Sequence, residues 1–434
     1  MLGNSAYLFL AKTLGYGIRI LLPVFLVRIL TKADFGAYNQ FFLIEIMFKT
    51  VFQMGVNQSQ FFFVPRDLRN AGSYFINSLM LNVGLFVVAY SIIGGFRGEV
   101  ADFLGMEILR ELFWPLAIYS LLMMLNVTAE TYLVARKLFI QSAVFDILRQ
   151  VLASAATLAA AYITRDLESI IQALVWSRAV SLVGVLLYIH LKHNGFQSEK
   201  YFFGLGKQVK YGLMLGMAGM LWTFLMRMNE LTVSRFYDIE TYAVYAAGCK
   251  QIPIIQFFAQ SISAVALVQF AQLEKENNWD GIRALWDKIL GSLYGVGLPV
   301  TVFFIAIAQP LITLMFTPEY SDAVIIFQIN SIAMLYHLLN PTLILRAMDR
   351  NDISVKVHAG LVAVLPFALY LGMKGFGLVG IISVHAAMLI LGRVVNHMVL
   401  NRVAPIPLPF VPSRVSLMEF YKSTWTLVRS KSQE

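Results

Sequence analysis

Twelve charged residues lie inside long apolar segments of the chain, where they could bind an ion or a charged ligand. Eight are basic and four are acidic, so four positive charges remain uncompensated. Each costs at least about 2.5 kcal/mol at the centre of a lipid-facing helix, so such a set is tolerable only around water or an anionic ligand. The basic residues are Lys12, Arg19, Lys49, Arg149, Arg178, Arg227, Lys250 and Arg393, and the acidic ones are Glu45, Glu130, Asp146 and Glu230.

The second apolar segment carries a polar pattern at helical spacing. Glu45, Lys49, Gln53, Asn57 and Gln60 advance by four, four, four and three residues. Residues three or four apart share one face of a helix. The spacing therefore predicts one continuous polar stripe along this segment.

The eighth apolar segment repeats the theme with Lys250, Gln256, Gln260 and Ser263. The simplest arrangement directs both stripes into one shared, water-filled cavity. Arginine suits such a cavity when the ligand is a phosphate, because its guanidinium binds oxyanions in a bidentate manner.

A structural alternative exists for most of these charges, because intramembrane charges commonly pair. Arg393 lies about 10 Å from its helix end and could extend its charge toward the surface. No acid lies at helical spacing from Arg19, Arg178 or Lys250 within their own segments. A purely structural role is the alternative for three groups of charges. They are Glu45–Lys49, Arg227–Glu230, and, near the cytoplasmic ends of their helices, Asp146–Arg149 and Glu130.

The elements that must position these residues are membrane-spanning helices. The chain has 434 residues, of which 58% are hydrophobic and 14% charged, with a mean hydropathy of +0.69. Soluble domains average about 45–50% apolar and about 25% charged residues. Twelve spans are predicted: Ser5–Leu30, Gly36–Phe63, Tyr74–Phe96, Leu112–Val134, Val144–Ile163, Ile170–His190, Tyr211–Phe236, Tyr242–Phe270, Ile289–Ala308, Ala323–Leu345, Val357–Met373 and Gly375–Leu400.

The distribution of basic residues predicts the orientation. With the N-terminus in the cytoplasm, 19 of the 34 lysines and arginines fall in cytoplasmic loops and the tail, and seven fall in outer loops. Positive loops stay in the cytoplasm. Both termini are therefore predicted to be cytoplasmic. A nucleic-acid partner is not expected, because the net charge of +9 follows this topology.

The chain contains a short internal repeat. RILTKADFGAY begins at Arg28 and RFYDIETYAVY begins at Arg235, close to half the chain further on. Six spans separate the two copies, and six is an even number. Both halves therefore begin on the same side of the membrane, which makes them parallel repeats. The predicted domains are residues 1–190 as the N-terminal six-helix lobe, 191–210 as a cytoplasmic linker, 211–403 as the C-terminal lobe and 404–434 as a cytoplasmic tail.

The tail predicts an interfacial helix after a stiff proline-rich spacer, APIPLPFVP. Met418, Tyr421, Trp425 and Val428 recur at helical spacing with basic residues between them. Such a helix binds anionic membrane lipid. A polar tail without a packed face is the alternative.

Two segments resemble the Wzx-type lipid-linked oligosaccharide flippases of the multidrug/oligosaccharidyl-lipid/polysaccharide exporter superfamily. They are LAKTLGYGIRILLPVFLVRILTKADFGAY and VFQMGVNQSQ, and RFYDIETYAVYAAG fits the same pattern in the second half. The resemblance covers the whole chain by length, span count and repeat.

This resemblance implies an all-α membrane protein of about 12 transmembrane helices, in two parallel six-helix repeats that form a V. It also implies a cationic cavity bordered by the first, second, seventh and eighth helices, which holds the pyrophosphate of an undecaprenyl-linked oligosaccharide. Multidrug relatives often use an acid in the first helix, whereas here that helix holds Lys12 and Arg19.

The predicted function is therefore a non-enzymatic flippase of the bacterial inner membrane, without a cofactor or a metal, that serves O-antigen or other lipopolysaccharide synthesis. Proton or sodium is the expected coupling ion, and a polysaccharide polymerase with its chain-length machinery are expected partners. Two alternatives remain: a cation-coupled multidrug antiporter and a membrane-embedded polymerase or glycosyltransferase. The predicted substrate-binding residues are Arg19, Lys49, Arg178, Arg227, Lys250, Gln53, Asn57 and Gln256, and the ion-coupling residues are Glu45 and Glu230.

Overall fold

The computed structural model describes residue 17 and residues 21–193 and 202–431, which are mainly α-helical. Most of the first predicted span, with Lys12 and Arg19, lies outside them, as do residues 194–201 of the predicted linker. Seventeen α-helices are numbered here in chain order. They are α1 Lys32–Gln53, α2 Val56–Phe63, α3 Ala71–Gly95, α4 Arg97–Leu104, α5 Ile108–Glu111, α6 Phe113–Ala135, α7 Phe139–Thr164, α8 Leu167–His193, α9 Leu205–Phe236, α10 Ile239–Gly248, α11 Ile254–Lys275, α12 Trp279–Ala306, α13 Ala308–Phe316, α14 Ala323–Ala333, α15 Thr342–Ala347, α16 Asn351–Val403 and α17 Arg414–Lys431.

The prediction of an all-helical membrane protein with many spans is confirmed. Among the described residues, nine helical segments are long and apolar enough to cross a membrane. One of them, α16, contains two predicted spans joined at Phe376 and Gly377, whose backbone angles are not helical. Two further predicted spans, the second and the eighth, are each divided into two helices by a break.

The chain forms two compact units. Unit 1 comprises residues 1–243 with 315–317, and unit 2 comprises residues 244–314 with 318–434. In unit 1, an aromatic core includes Phe75 and Tyr132, whose rings stack with centroids 4.5 Å apart. In unit 2, Trp286 is fully buried and donates its indole N–H to the carbonyl of Pro409. The predicted boundary between six-helix lobes stays a prediction, because units defined by packing need not coincide with repeats.

A seam of close contacts joins α9 to α1 and α2 in unit 1. The amide of Gln40 donates to the hydroxyl of Ser234 at one end. The hydroxyls of Thr50 and Thr223 lie 3.5 Å apart further along. Because residue numbers rise on α1 as they fall on α9, the two helices run antiparallel.

Glycines allow the backbones to touch where this seam passes the break between α1 and α2. Met54 and Gly55 have φ of 43° and 68°. A Cβ on Gly55 would lie 2.3 Å from the carbonyl oxygen of Gly212, and one on Gly216 would lie 2.4 Å from the carbonyl carbon of Met54. Spaced glycines of this kind let membrane helices approach closely.

Beyond the break, Gln208 near the start of α9 fastens α9 to two helices. Its side chain is almost fully buried. Its amide nitrogen donates to the hydroxyls of Ser59 and Ser78 and to the carbonyl of Tyr74, and its oxygen accepts from Asn77. The seam therefore runs from Gln40 past the break to Ser59.

The tail helix α17 packs along α12 in unit 2. Asp287 on α12 accepts hydrogen bonds from the backbone N–H and hydroxyl of Ser413 and from the hydroxyl of Ser416. Further along α12, the carbonyl of Gly295 accepts from the hydroxyl of Tyr421 at 3.0 Å. The other predicted membrane-facing residues with described side chains, Met418 and Trp425, are exposed.

The repeat has a matching local structure in both halves. Thr31 precedes α1 and accepts a hydrogen bond from the backbone N–H of Asp34. Asp238 holds the position of Thr31 in the second copy, precedes α10 and accepts the same bond from the N–H of Thr241. The capping threonine and aspartate have exchanged places, while the bond that caps the helix is kept.

A second matching feature is the turn between the fourth and fifth spans of each half. Lys137 in the first half and Asp349 in the second both have a positive φ, of 63° and 56°. The next residue donates its N–H to a carbonyl five residues earlier in both turns, from Leu138 to Leu133 and from Arg350 to Leu345, at 2.8 Å. These turns support a duplication over more of the chain than the sequence repeat covers.

Candidate functional site

Glu45 and Lys49 on α1 form an ion pair. The Nζ of Lys49 lies 2.8 Å from Oε1 of Glu45, and the exposed fractions of the two side chains are 19% and 6%. One helical turn separates the residues, which is the spacing that brings opposite charges together. The charge of Lys49 is therefore balanced locally in this conformation.

The predicted continuous polar stripe is wrong beyond Gln53, because α1 ends there. The left-handed residues Met54 and Gly55 change the direction of the following helix. Asn57 then faces the interior of unit 1, where its oxygen accepts from the hydroxyl of Thr128 at 2.8 Å and from the amide of Asn82 at 3.4 Å. Gln53 is partly buried at the end of α1, and its amide nitrogen has no hydrogen-bond acceptor among the described atoms.

Arg149 on α7 binds two carboxylates. Its Nε lies 2.8 Å from Oε1 of Glu130 on α6, and its NH2 contacts Oδ1 of Asp146 one turn away on α7. The exposed fraction of the Arg149 side chain is only 8%. The three groups carry a formal charge of −1, so the shared arginine holds two acids together inside the bundle.

Arg178 on α8 lies beside this cluster. Its exposed fraction is 7%. Its NH1 is 3.4 Å from the carbonyl oxygen of Arg149, and its guanidinium carbon lies 5.8 Å from the ring centroid of Tyr119. Its Nε has no acceptor and no carboxylate lies within 4 Å, within the ranges that the structure describes. A buried guanidinium with an unused donor is suited to an oxyanion.

Arg227 and Glu230 on α9 form a second ion pair. Oε1 of Glu230 accepts from NH1 of Arg227, and the exposed fractions are 39% for Arg227 and 12% for Glu230. Both residues lie between the Gln40–Ser234 and Thr50–Thr223 contacts on α9, as Glu45 and Lys49 do on α1. The two pairs therefore occupy the same layer of unit 1.

Lys250 lies in unit 2, at a break in the eighth predicted span. The helix stops at Gly248 and resumes at Ile254. The buried side chain of Asn330 stabilises the break by donating to the carbonyl of Cys249 and accepting from the amide of Gln251. Interrupted helices of this kind form substrate and ion sites in transporters, because they present backbone groups and helix ends at the midplane.

Gln256 and Arg19 are the remaining predicted site residues. Gln256 is partly buried in the first turn of α11, close in sequence to the break. Arg19 lies outside the described residues, so its predicted role stays a prediction. No group of three or more metal-binding side chains occurs in the described part of the chain.

Sequence reasoning did not pair Arg149 with Glu130 and missed the stabilising role of Asn330, because both contacts join different segments of the chain. It also interpreted Arg393 as a residue that extends toward the surface. In the structure, NH1 of Arg393 donates to the side-chain oxygen of Asn340 at 3.1 Å, so the guanidinium points into unit 2.

Several solved transporters have a similar fold. An inward-facing multidrug resistance MATE family transporter of the MOP superfamily matches with a TM-score of 0.70 and 13% identity, over 89% of this chain and 94% of that chain. The lipid II flippase MurJ in an inward closed conformation matches with a TM-score of 0.66 and 13% identity, over 92% and 88%. An outward-facing MATE family transporter gives 0.61 and 15%, over 92% and 97%.

At these identities the likeness establishes the fold, which is that of the MATE and MurJ transporters. No curated protein matches the sequence. A model of a protein family described as polysaccharide biosynthesis protein matches residues 25–325, which is more than half of the chain. The chain therefore belongs to this polysaccharide biosynthesis protein family.

Proposed function

We propose that the protein flips an undecaprenyl-pyrophosphate-linked oligosaccharide from the cytoplasmic to the outer leaflet of the bacterial cytoplasmic membrane. The two six-helix halves, residues 1–190 and 211–403, alternate access to a cationic cavity. Family membership supports a role in polysaccharide synthesis. The fold supports transport rather than catalysis.

The observation that carries the proposal is the position of Lys250. This lysine lies four residues before the start of α11, in a break that is stabilised by Asn330. The N-terminus of a helix carries a partial positive charge and exposes backbone N–H groups. A lysine beside such an end is a suitable environment for a phosphate group inside a membrane.

Lys49, Arg178 and Arg227 are the further proposed phosphate or acidic-sugar ligands, together with Arg19, Gln53, Asn57 and Gln256. Lys49 and Arg227 each have a carboxylate partner in this conformation. An anion would bind them after the partner is displaced or protonated.

Ion coupling is assigned to Glu45 and Glu230. Each carboxylate is mostly buried and pairs with a base one turn away. Protonation of such a carboxylate breaks the ion pair and changes the charge of the site. Glu45→Gln is expected to abolish the dependence of transport on an ion gradient, while Glu319→Gln, outside the spans, leaves it unchanged. Equal gradient dependence in wild type and Glu45→Gln would exclude this role.

The test of the main proposal is direct measurement of flipping. Full-length protein is reconstituted into vesicles that contain a lipid-linked oligosaccharide, and the outer-leaflet fraction is measured with a membrane-impermeant lectin or glycosidase. Flipping above that of empty vesicles is expected, with loss in Lys250→Gln. Absence of flipping, together with no inner-leaflet accumulation of lipid-linked glycan in a deletion strain, would contradict the proposal.

A second candidate is a cation-coupled multidrug antiporter, which the fold likeness to the MATE transporters favours. It requires an acidic site for a cationic compound. Binding of a cationic dye that is lost in Glu45→Gln would support it, and flipping of a glycolipid would support the flippase.

The family match does not specify the orientation, the partners or the cargo, which we propose here. We assign both termini to the cytoplasm from the distribution of basic residues. A polysaccharide polymerase and its chain-length machinery are the proposed partners, and O-antigen or a related lipopolysaccharide glycan is the proposed cargo.

A further inference from the structure

The two copies of the internal sequence repeat touch each other, and the touching residues belong to unit 1. The first copy, Arg28–Tyr38, contains the start of α1, and the second copy, Arg235–Tyr245, contains the start of α10. A Cβ on Gly36 of the first copy would meet the carbonyl oxygen of Ile239 in the second copy and would lie 2.9 Å from its Cγ1. The starts of the two helices are therefore in direct contact.

Two further contacts hold the end of α9 at the same place. Nε2 of Gln40 on α1 donates to the hydroxyl of Ser234 at 2.7 Å, and the exposed fraction of each residue is 2%. The turn after α4 packs on α9, where a Cβ on Gly105 would lie 2.9 Å from the carbonyl oxygen of Ser234 and from the Cα of Arg235. Gly105 has a φ of 67°, so the turn itself also favours glycine.

The end of α13 joins this group of contacts. NH1 of Arg28 donates to the carbonyl of Met315 at 3.1 Å. The rings of Phe35 and Phe316 have centroids 6.2 Å apart, and both side chains are fully buried. Packing assigns Met315 and Phe316 to unit 1, although the chain on both sides of them belongs to unit 2.

These five contacts lie on one side of the membrane in the predicted topology. Arg28, Gly105 and Arg235 all fall in loops that are predicted to be on the outer face. One partner of each contact comes from the predicted first half, residues 1–190, and the other from the predicted second half, residues 211–403. The contacts therefore join the outer ends of the two predicted halves.

The contacts are of a kind that can separate and form again. They join glycines to backbone, neutral side chains to each other, an exposed arginine to a carbonyl, and two aromatic rings. Separation exposes amide, hydroxyl and carbonyl groups to which water can hydrogen-bond, whereas separation of a buried ion pair leaves uncompensated charge. The closed arrangement is sensitive to one position, because a side chain at Gly36 would occupy the space of the facing backbone.

We propose that these contacts form an outer gate, which is closed in this structure and opens when the transporter faces outward. The sequence repeat supplies residues to both sides of the gate, because equivalent segments of parallel repeats end at the same face of the membrane. The first copy contributes Arg28, Phe35 and Gly36, and the second contributes Arg235 and Ile239. The gate rests on the proposed alternating access, but not on the identity of the cargo.

The test measures how fast a cysteine behind the gate reacts from the outer face. Ser234→Cys is introduced into full-length Cys249→Ser protein, and right-side-out vesicles are treated with a charged, membrane-impermeant maleimide. Slow labelling of this parent is expected, because residue 234 is buried. Gly36→Leu is expected to raise the labelling rate about tenfold or more, because overpacking disfavours the closed state.

Two matched variants separate gate opening from a general loss of structure. Gly98→Leu adds the same side chain on α4, where a Cβ would meet nothing within 4 Å, and is expected to label as the parent does. Gly36→Ala adds only one methyl group and is expected to give a smaller increase than Gly36→Leu. Elution volume and melting temperature show which variants fold, and Gly36→Ala decides if Gly36→Leu does not fold.

A second measurement does not depend on the glycine. Gln40→Cys and Ser234→Cys are combined in the Cys249→Ser protein and joined by a short bifunctional methanethiosulfonate. The joined protein is expected to lose flipping and to regain it when a reducing agent releases the link. Each single-cysteine variant, treated in the same way, controls for modification of one residue alone.

Three results would each overturn the gate. The first is equal labelling of the parent, Gly36→Leu and Gly98→Leu when all three are folded. The second is rapid labelling of the parent itself, because residue 234 would then not be covered. The third is normal flipping by protein that is fully joined between residues 40 and 234.

Failure of the gate is distinguishable from failure of the proposed function. If Gly36→Leu exposes residue 234 but wild type flips no glycolipid, the gate stands and the flippase proposal fails. If wild type flips glycolipid and the joined protein flips it equally well, the flippase stands and the gate is wrong.

Discussion

Arg149 illustrates how a buried charge depends on its partners. It holds Glu130 and Asp146 at once, and its side chain is almost fully buried. Removing one partner of a buried pair leaves an uncompensated charge, which costs about 3–5 kcal/mol. Arg149 is therefore a structural residue in this conformation, in line with the alternative that the sequence left open.

We expect Arg149→Met to lower the free energy of unfolding by about 3–5 kcal/mol, because two carboxylates are left inside unit 1. Thermal unfolding of detergent-purified protein measures the change. The triple variant Arg149→Met/Glu130→Gln/Asp146→Asn removes all three charges and is expected to recover most of the lost stability. A triple variant as unstable as Arg149→Met would show that the charges are not the cause.

The side chain of Asp238 caps the N-terminus of α10. The backbone N–H and the hydroxyl of Thr241 donate to its carboxylate, which holds the pKa of Asp238 below its usual value. Because the folded-state pKa is lowered, the stabilisation is present above the unfolded pKa. It is lost as the pH falls through the folded pKa.

Asp238→Ala is expected to destabilise the protein by about 1 kcal/mol at neutral pH, the usual cost of losing a helix cap. Asp238→Asn keeps the cap and is expected to retain most of the stability. Melting temperatures at pH 7 and at a pH below 4 test this. The difference between wild type and Asp238→Ala should shrink at the lower pH, and a constant difference would exclude the role of the charge.

At the scale of elements, the close approach of α9 to the break after α1 depends on glycine. A Cβ on Gly216 would lie 2.4 Å from the backbone of Met54, whereas one on Gly219 would meet nothing within 4 Å. Gly216→Ala is expected to cost about 1–3 kcal/mol through overpacking. Gly219→Ala is its matched control and is expected to be neutral or stabilising, because alanine favours helix. Equal melting temperatures for the two variants would refute the tight contact.

The carboxylate of Asp287 holds the start of the tail helix α17, because it accepts hydrogen bonds from Ser413 and Ser416. Asp287→Ala is expected to loosen α17 and to speed tryptic cleavage after Arg414 and Lys422 severalfold. Glu419→Ala, an exposed change on α17 itself, is the control and should cleave as wild type. Unchanged cleavage of Asp287→Ala would mean that the other contacts with α12 hold the helix.

The positions of the helices could be predicted from the sequence far better than the contacts of their polar residues. Apolar runs of bilayer length locate the spans because burial in lipid acts on each segment separately. The stripe from Glu45 to Gln60 failed because it assumed an unbroken helix, and only Gly55 signalled the break. The pairing of Arg149 with Glu130 joins different helices, so spacing along the chain could not reveal it.

At the scale of the whole molecule, the repeat and the packing divide the chain differently. The repeat assigns α9 to the second half, whereas packing assigns it to unit 1 with α1 and α2. A rocking motion between the halves would separate α9 from α1. A motion between the packed units would leave that seam intact.

A disulfide across the seam decides between these motions. The hydroxyls of Thr50 and Thr223 are 3.5 Å apart, so cysteines at both positions are placed to cross-link. In a Cys249→Ser background, which removes the single native cysteine, the oxidised Thr50→Cys/Thr223→Cys variant is expected to lose flipping and to regain it on reduction. Each single-cysteine variant controls for the substitutions themselves. Unchanged flipping by a fully cross-linked protein would show that α9 moves with the first half, and the moving boundary would then lie after Ala243, where packing divides the chain.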